Sequence, residues 1–117
     1  MKIQERSAGT VTILDLSGKL AFGDGDVLLK DKIHSLAFQT KTQIVLNLAD
    51  VPFVDSSGLG TLCGSVTTVR NIGGDIKLLN LTKRIHDLLA IAKLSTVFET
   101  YESEADAVQS FSASVRV

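Results

Sequence analysis

The sequence predicts an α/β domain with a mixed, mostly parallel sheet of about five strands and about four helices. Short apolar segments alternate along the chain with longer segments whose apolar residues recur at helical spacing. No linker, repeat or low-complexity stretch divides the 117 residues, which suffice to bury one core. We therefore expect a single domain over residues 1–117.

The amino-terminal part of the chain predicts a hairpin followed by a helix. Residues 3–6 and 11–16 read as two strands, separated by a short turn that contains Gly9. Asp26 follows a glycine-rich loop and is predicted to cap the first helix. The apolar residues of that helix keep helical spacing and are Leu29, Ile33, Leu36 and Ala37.

The middle of the chain predicts a buried strand and a second helix. Residues 44–48 form a short apolar run, which is typical of a strand covered on both faces. The second helix is predicted to start near Ser57 and to end at Gly73 and Gly74. Its apolar residues are Leu59, Leu62, Cys63, Val66 and Val69.

The carboxyl-terminal part predicts two further strand and helix pairs. Residues 75–80 and 97–101 read as strands, and Thr82 is predicted to cap the third helix. Ser103, with Asp106 three residues later, indicates the start of the fourth helix. The predicted buried residues of these two helices are Ile85, Leu88, Leu89, Ala92, Ala107, Val108 and Phe111.

Composition excludes several classes of function. Twelve Lys and Arg residues balance 13 Asp and Glu residues, and no basic cluster indicates nucleic-acid binding. Cys63 is the single cysteine, so neither an intramolecular disulfide nor a cysteine-rich metal site is expected. The amino terminus lacks the apolar segment of a signal peptide, and no apolar run approaches the roughly 20 residues that cross a membrane. We expect a cytoplasmic protein without a cofactor or metal.

The candidate functional site lies where the central strand leads into the second helix. Gly58 and Gly60 fall in its first turn, where each costs roughly 0.5 to 1 kcal/mol relative to alanine. A serine there faces unpaired N–H groups and the positive end of the helix dipole, so it can hold a phosphate. From the residues alone, a simpler interpretation ranks ahead, in which Ser56 or Ser57 only caps the helix and the glycines only permit tight packing. The run in question is Asp55-Ser56-Ser57-Gly58-Leu59-Gly60.

This run resembles the STAS family, specifically the bacterial anti-sigma factor antagonists. The resemblance extends from about Val11 to Phe111, and Asp-Ser-Ser-Gly-Leu-Gly after an apolar strand is its most specific part. The other segments that carry it are Gly18, Leu20, residues 44–48, Val54, Gly73 and Gly74.

The resemblance implies a phosphorylation-switched interaction module rather than an enzyme. In the family, the second serine of the run is phosphorylated by an anti-sigma factor that is also a serine kinase, which places the modification at Ser57, with Ser56 as the alternative. The unphosphorylated form binds that kinase and frees a sigma factor, and a PP2C-type phosphatase resets the switch. The implied partner-binding residues are Asp55, Ser56, Ser57, Gly58, Leu59, Gly60 and Asp24.

One departure concerns the loop after the second strand. The family commonly has an aspartate at the position of Ala21, and Asp24 or Asp26 can supply negative charge nearby. This departure leaves another kinase or a signalling complex open as the partner.

Other functions stay open at this stage. One is a STAS scaffold in a larger signalling complex, with Ser57 unmodified, and self-association as a homodimer is also open. A more remote one is a hydrolase with Ser57 as nucleophile and His86 as base, although Asp55 replaces the glycine of a Gly-x-Ser-x-Gly elbow. Lys83 and Arg84 in the first turn of the third helix are interpreted as solvated charges, with Asp87 near Lys83.

Overall fold

The computed structural model describes residues 1–115, with side chains described through residue 112. Residues 116 and 117 of the expected domain lie outside the described residues. The strands and helices alternate along the chain after an initial hairpin, as predicted. In chain order they are β1 (Lys2–Ala8), β2 (Val11–Ser17), α1 (Gly25–Phe38), β3 (Gln43–Asp50), α2 (Ser56–Asn71), β4 (Asp75–Leu79), α3 (Lys83–Ile91), β5 (Thr100–Tyr101) and α4 (Glu104–Val115).

One sheet joins the five strands in the order β1-β2-β3-β4-β5. β1 pairs antiparallel with β2 as a hairpin, and the remaining neighbours pair in parallel. The prediction of a mixed, mostly parallel sheet is therefore confirmed. Because β2, β3 and β4 are parallel, the loops that follow them lie at the same edge of the sheet.

The two faces of the sheet are covered by different helices. On one face, Leu14, Leu46 and Leu78 of the central strands are fully buried in a core that also receives apolar residues of α1, α2 and α3. On the other face, Val45 packs in a second cluster with Phe111 of α4. This burial on both faces explains why residues 44–48 form an unbroken apolar run.

Most of the predicted helix boundaries are confirmed. Thr82 caps α3 through its hydroxyl, which accepts a hydrogen bond from the N–H of Ile85 at 3.2 Å. Ser103 likewise accepts one from the N–H of Asp106 at 3.3 Å, at the start of α4. Short-range capping signals of this kind depend only on residues three apart, so the sequence alone identifies them.

The predicted start of the first helix was wrong. Asp24 occupies the N-cap position of α1, and Asp26 lies in the first turn, where its carboxylate accepts the N–H groups of Gly23 and Val27. The helix begins earlier because Gly25 packs against the backbone of Lys19. A Cβ at Gly25 would lie 2.3 Å from the Lys19 carbonyl oxygen, a contact that only glycine avoids.

Two details at the carboxyl-terminal side also differ from expectation. Only Thr100 and Tyr101 pair as a strand, whereas residues 97–101 were predicted; Val97 instead lies in a turn, with its N–H bonded to the Leu94 carbonyl. Ala92 is the exposed C-cap of α3 and does not belong to its buried face. Among the predicted core positions, Ala37, Leu88 and Val108 are half-buried.

Candidate functional site

The start of α2 is fixed by the carboxylate of Asp55, which is the N-cap residue. One carboxylate oxygen accepts the N–H of Gly58 at 2.8 Å, and the other accepts the N–H of Phe22 at 3.0 Å. Both hydrogen bonds lower the pKa of Asp55, and the one from Phe22 has the larger effect. Asp55 is thus an ionised link between α2 and the loop after β2.

Backbone contacts reinforce this link. Leu20 forms an isolated parallel bridge with Val54, and its carbonyl accepts the N–H of Asp55 at 3.3 Å. Gly58 packs directly on the same residue, since a Cβ at this position would lie 2.0 Å from the Leu20 carbonyl oxygen. The fold therefore requires glycine at position 58 for packing, and these contacts join the two loops into one continuous surface.

The two candidate serines differ in environment. Ser56 is exposed, whereas Ser57 is half-buried and lines a groove between α1 and α2. Among the described residues the hydroxyl of Ser57 forms no hydrogen bond, and Asp55 is the residue that caps α2. The simpler interpretation is therefore wrong about a serine cap, although tight packing does require the glycine at position 58.

The groove beside Ser57 has a volume of about 400 Å³. α2 contributes small side chains to it, α1 contributes polar ones, and the loop before α1 contributes the aromatic ring of Phe22, which is 80% exposed. The remaining lining residues are Asp26, Lys30, His34, Gly60, Thr61, Gly64, Ser65 and Thr68.

Several of these groove residues were missed by sequence reasoning. Lys30 and His34 belong to α1, which is separated from the Asp-Ser-Ser-Gly run by a strand, so no local motif connects them. Their spacing of four residues does place them on one face of a helix. That face could have been noticed, but its position opposite α2 requires the three-dimensional structure.

Asp24 and Ala21 lie in the loop that Asp55 anchors through Phe22. The carboxylate of Asp24 is exposed and accepts a hydrogen bond from the amino group of Met1 at 3.0 Å. It does not line the groove, whereas Asp26 does. Asp24 is therefore near the start of α2 in the fold but contributes to a neighbouring part of the surface.

The residues proposed for a hydrolase are not brought together. His86 is 71% exposed on α3 and lies 3.7 Å from the carboxylate of Asp87. His86 and Ser57 line different cavities. No hydrogen bond among the described residues connects them. The ion pair of Lys83 with Asp87, at 2.8 Å, is present as expected.

Within residues 1–115 no group of three or more His, Cys, Asp or Glu side chains is placed to hold a metal ion. No helix in that part of the chain is long and apolar enough to cross a membrane. Cys63 is half-buried against the core, and burial raises the pKa of its thiol.

Comparisons with known proteins agree with this geometry. A family model described as the STAS domain matches residues 2–107. The anti-sigma F factor antagonist of Paenibacillus polymyxa is 29% identical over 98 residues, which cover 84% of each chain. The anti-sigma-B factor antagonist of Bacillus subtilis is 33% identical over 82 residues, which cover 70% of this chain and 74% of that one.

Solved structures show the same fold. The anti-sigma factor antagonist SpoIIAA of Bacillus matches in its unphosphorylated form with a TM-score of 0.73 and 21% identity, over 94% of this chain and 97% of that one. Its phosphorylated form matches with a TM-score of 0.73 and 22% identity, over 94% and 99%. The solved structures show a shared fold, whereas the family model and the Bacillus subtilis relative show membership of a family. The chain therefore belongs to the STAS domain family.

Proposed function

We propose that the protein is an anti-sigma factor antagonist that acts by partner switching. In its unphosphorylated form it binds an anti-sigma factor that is also a serine kinase, and this binding releases a sigma factor. Phosphorylation of Ser57 ends the binding, and a PP2C-type phosphatase restores it. The relatives named as anti-sigma factor antagonists support this assignment. It also implies that the protein works in the cytoplasm.

The observation that carries the proposal is the environment of Ser57. Its hydroxyl is in the first turn of α2, is half-buried and makes no hydrogen bond among the described residues. A kinase can therefore reach it without first breaking a cap. Ser56 lies beside it but outside the groove, so we assign the phosphate to Ser57 and the partner contact to the run Asp55-Ser56-Ser57-Gly58-Leu59-Gly60.

The effect of the phosphate follows from charge. A phosphoserine adds about −1.5 to −2 charges beside the carboxylate of Asp55, whose low pKa keeps it ionised at neutral pH. The positive end of the α2 dipole stabilises this anion within the protein. A partner that fits the bare hydroxyl meets a bulky double anion instead, and the complex dissociates.

The test is phosphorylation of the purified protein in vitro. The protein is incubated with ATP and with each serine kinase encoded near its gene, and peptide mass spectrometry locates the phosphate. Ser57→Ala and Ser56→Ala serve as controls, and binding of each kinase is measured before and after the reaction. We expect phosphate on Ser57 in the Ser56→Ala variant, none in Ser57→Ala, and weaker kinase binding after modification.

A second candidate function is an unmodified STAS scaffold in a larger signalling complex. The observation that favours it is the presence of Ala21 where the family commonly has an aspartate. The loop beside Ser57 therefore lacks that carboxylate. The same experiment separates the two functions. Complexes that form with no phosphate on Ser57, and that are insensitive to Ser57→Asp, would support the scaffold and contradict the switch.

A further inference from the structure

The groove between α1 and α2 contains two glycines that the fold does not need. Gly60 and Gly64 both line it, and a Cβ at either position would have nothing within 4 Å. Glycine is less favourable than alanine inside a helix, and packing normally compensates for that cost, as it does at Gly58. At Gly60 and Gly64 the described residues supply no such compensation, so the backbone of α2 is left open to the groove.

The floor of the groove also contains an unused hydrogen-bonding group. Ser65 is only 6% exposed and lines the groove, yet its hydroxyl forms no hydrogen bond with any part of the chain that the structure describes. Thr67, one turn from Cys63, shows the usual alternative, since its hydroxyl donates to the Cys63 carbonyl at 3.0 Å. No buried side-chain N or O atom of the described residues lacks a partner, so the oxygen of Ser65 is open to the groove although most of the residue is buried. The hydroxyl of Ser65 is therefore available to a molecule in the groove.

The opposite wall is polar, and Lys30 and His34 of α1 line it. The ammonium group of Lys30 forms no ion pair among the described residues. The carboxylate of Asp26 on the same wall accepts the N–H groups of Gly23 and Val27. Lys30 is therefore the group on this wall that is available to a carboxylate of an occupant. Phe22, at the end near Ser57, offers an exposed ring of the kind that anchors protein interfaces.

We propose that this groove binds an extended segment of the partner kinase that carries an acidic side chain. The proposal rests on the function proposed above and adds a second contact, which runs from Ser57 along α2. An extended segment is inferred because, away from the ends of a helix, only a non-helical backbone has N–H and C=O groups free for the Ser65 hydroxyl. Close approach of that backbone is what Gly60 and Gly64 permit.

Other occupants fit these features less well. Sites for small organic molecules are lined mainly by apolar and aromatic groups. Here Phe22 is the single aromatic residue among the lining residues, and most of the others are small or polar. A second copy of this chain would have to offer an extended acidic segment, whereas the described loops near the groove are tied to the sheet by backbone hydrogen bonds.

The experiment compares two leucine substitutions on α2. Gly64→Leu fills the groove, and Thr67→Leu adds a side chain of the same size on the neighbouring exposed face, outside the groove. We measure binding to the kinase that phosphorylates the wild-type protein, by isothermal titration calorimetry, and thermal unfolding of each variant. We expect Gly64→Leu to weaken binding about tenfold or more while raising Tm, and Thr67→Leu to change binding less than about twofold.

Two further variants test the chemistry of the occupant. Ser65→Ala removes the hydroxyl and is expected to weaken binding about three- to tenfold with Tm nearly unchanged. Lys30→Glu is expected to weaken binding and to reduce its dependence on salt, whereas Lys93→Glu, exposed in the turn after α3 and outside the groove lining, serves as the charge-matched control.

The possible outcomes are distinct. Wild-type binding that Gly64→Leu and Ser65→Ala leave intact would overturn the groove contact and leave the Ser57 switch standing. If no kinase binds the wild-type protein, both proposals fail. If Gly64→Leu converts a dimer of this protein to a monomer in sedimentation velocity, the occupant is a second copy and the proposed kinase segment is wrong.

Discussion

At the scale of single residues, Asp55 has the most connections at the site. Each of its carboxylate oxygens accepts a different backbone N–H group, one from Phe22 and one from Gly58. Asparagine at this position has only one acceptor oxygen. The Asp55→Asn variant can therefore accept the hydrogen bond from Gly58 at the start of α2 or the one from Phe22 in the loop before α1, but not both.

The lowered pKa of Asp55 gives this change a pH dependence. A carboxyl whose pKa is lower in the folded state stabilises the protein above its unfolded pKa of about 3.9, and that stability is lost as the pH falls through the folded pKa. We expect Asp55→Asn to lower Tm at pH 7, and the difference from wild type to shrink below about pH 4. Thermal unfolding followed by circular dichroism from pH 7 to pH 3 measures it. A difference that is constant over this range would contradict the assignment.

Gly58 and Gly60, two residues apart, are expected to respond oppositely to the same substitution. A methyl group at Gly58 would meet the Leu20 carbonyl, so Gly58→Ala should destabilise the protein by about 2 kcal/mol or more. A methyl group at Gly60 meets nothing within 4 Å, so Gly60→Ala should stabilise it by about 0.5 to 1 kcal/mol. Urea unfolding measures the free energy of unfolding of both variants. It distinguishes a glycine that the packing requires from a glycine that the packing does not require. Equal effects would refute this distinction.

At the scale of elements, α4 is held on the sheet by a buried lysine. Lys77 of β4 is 3% exposed, donates to the hydroxyl of Ser110 at 2.8 Å and lies 3.4 Å from the carboxylate of Glu99. Its ammonium group also lies 4.4 Å from the ring centre of Phe111, within the range of a cation–π interaction. One side chain of the sheet thus contacts two residues of α4.

Substitution of Lys77 tests whether its charge or its packing matters. Lys77→Met keeps the length of the side chain and should change the free energy of unfolding by less than about 1 kcal/mol, because apolar groups often replace buried ions without loss. Lys77→Glu should cost about 3 kcal/mol or more, since it places a buried carboxylate beside Glu99. Chemical unfolding measures both values. A large loss in Lys77→Met would mean that the charge of Lys77, through its contacts with Ser110 and Phe111, holds α4 on the sheet.

The elements also show how far sequence patterns extend. Thr82 and Ser103 were identified as helix starts because a cap depends on an N–H three residues away. The strand predicted at residues 97–101 shortened to Thr100–Tyr101 because Phe98 is buried in the core beneath the helices, a tertiary contact that no local pattern encodes. The same difference applies to the site. Ser57 could be identified from its local run, whereas the place of Lys30 in the groove depends on the packing of α1 beside α2.

At the scale of the whole molecule, phosphorylation is expected to change the surface and not the fold. The start of α2 is already fixed by Asp55 and Leu20, and Ser57 is only half-buried. We expect NMR shift changes on phosphorylation to be confined to α2, the loop before α1 and the adjoining groove. Shifts of similar size in α4, on the opposite face of the sheet, would instead indicate a global rearrangement.

The order of the strands also bears on how the protein is made. Each strand lies beside its neighbours in the sequence, so no later strand has to insert between two earlier ones. Only the hairpin contacts are local, because each parallel pair joins two strands that are separated by a helix, and pairing of that kind is slow to form. The β1-β2 hairpin can form first, and each further helix and strand can add to the growing edge as the ribosome releases it. We expect the nascent chain to become protease-resistant in steps that follow β3, β4 and β5.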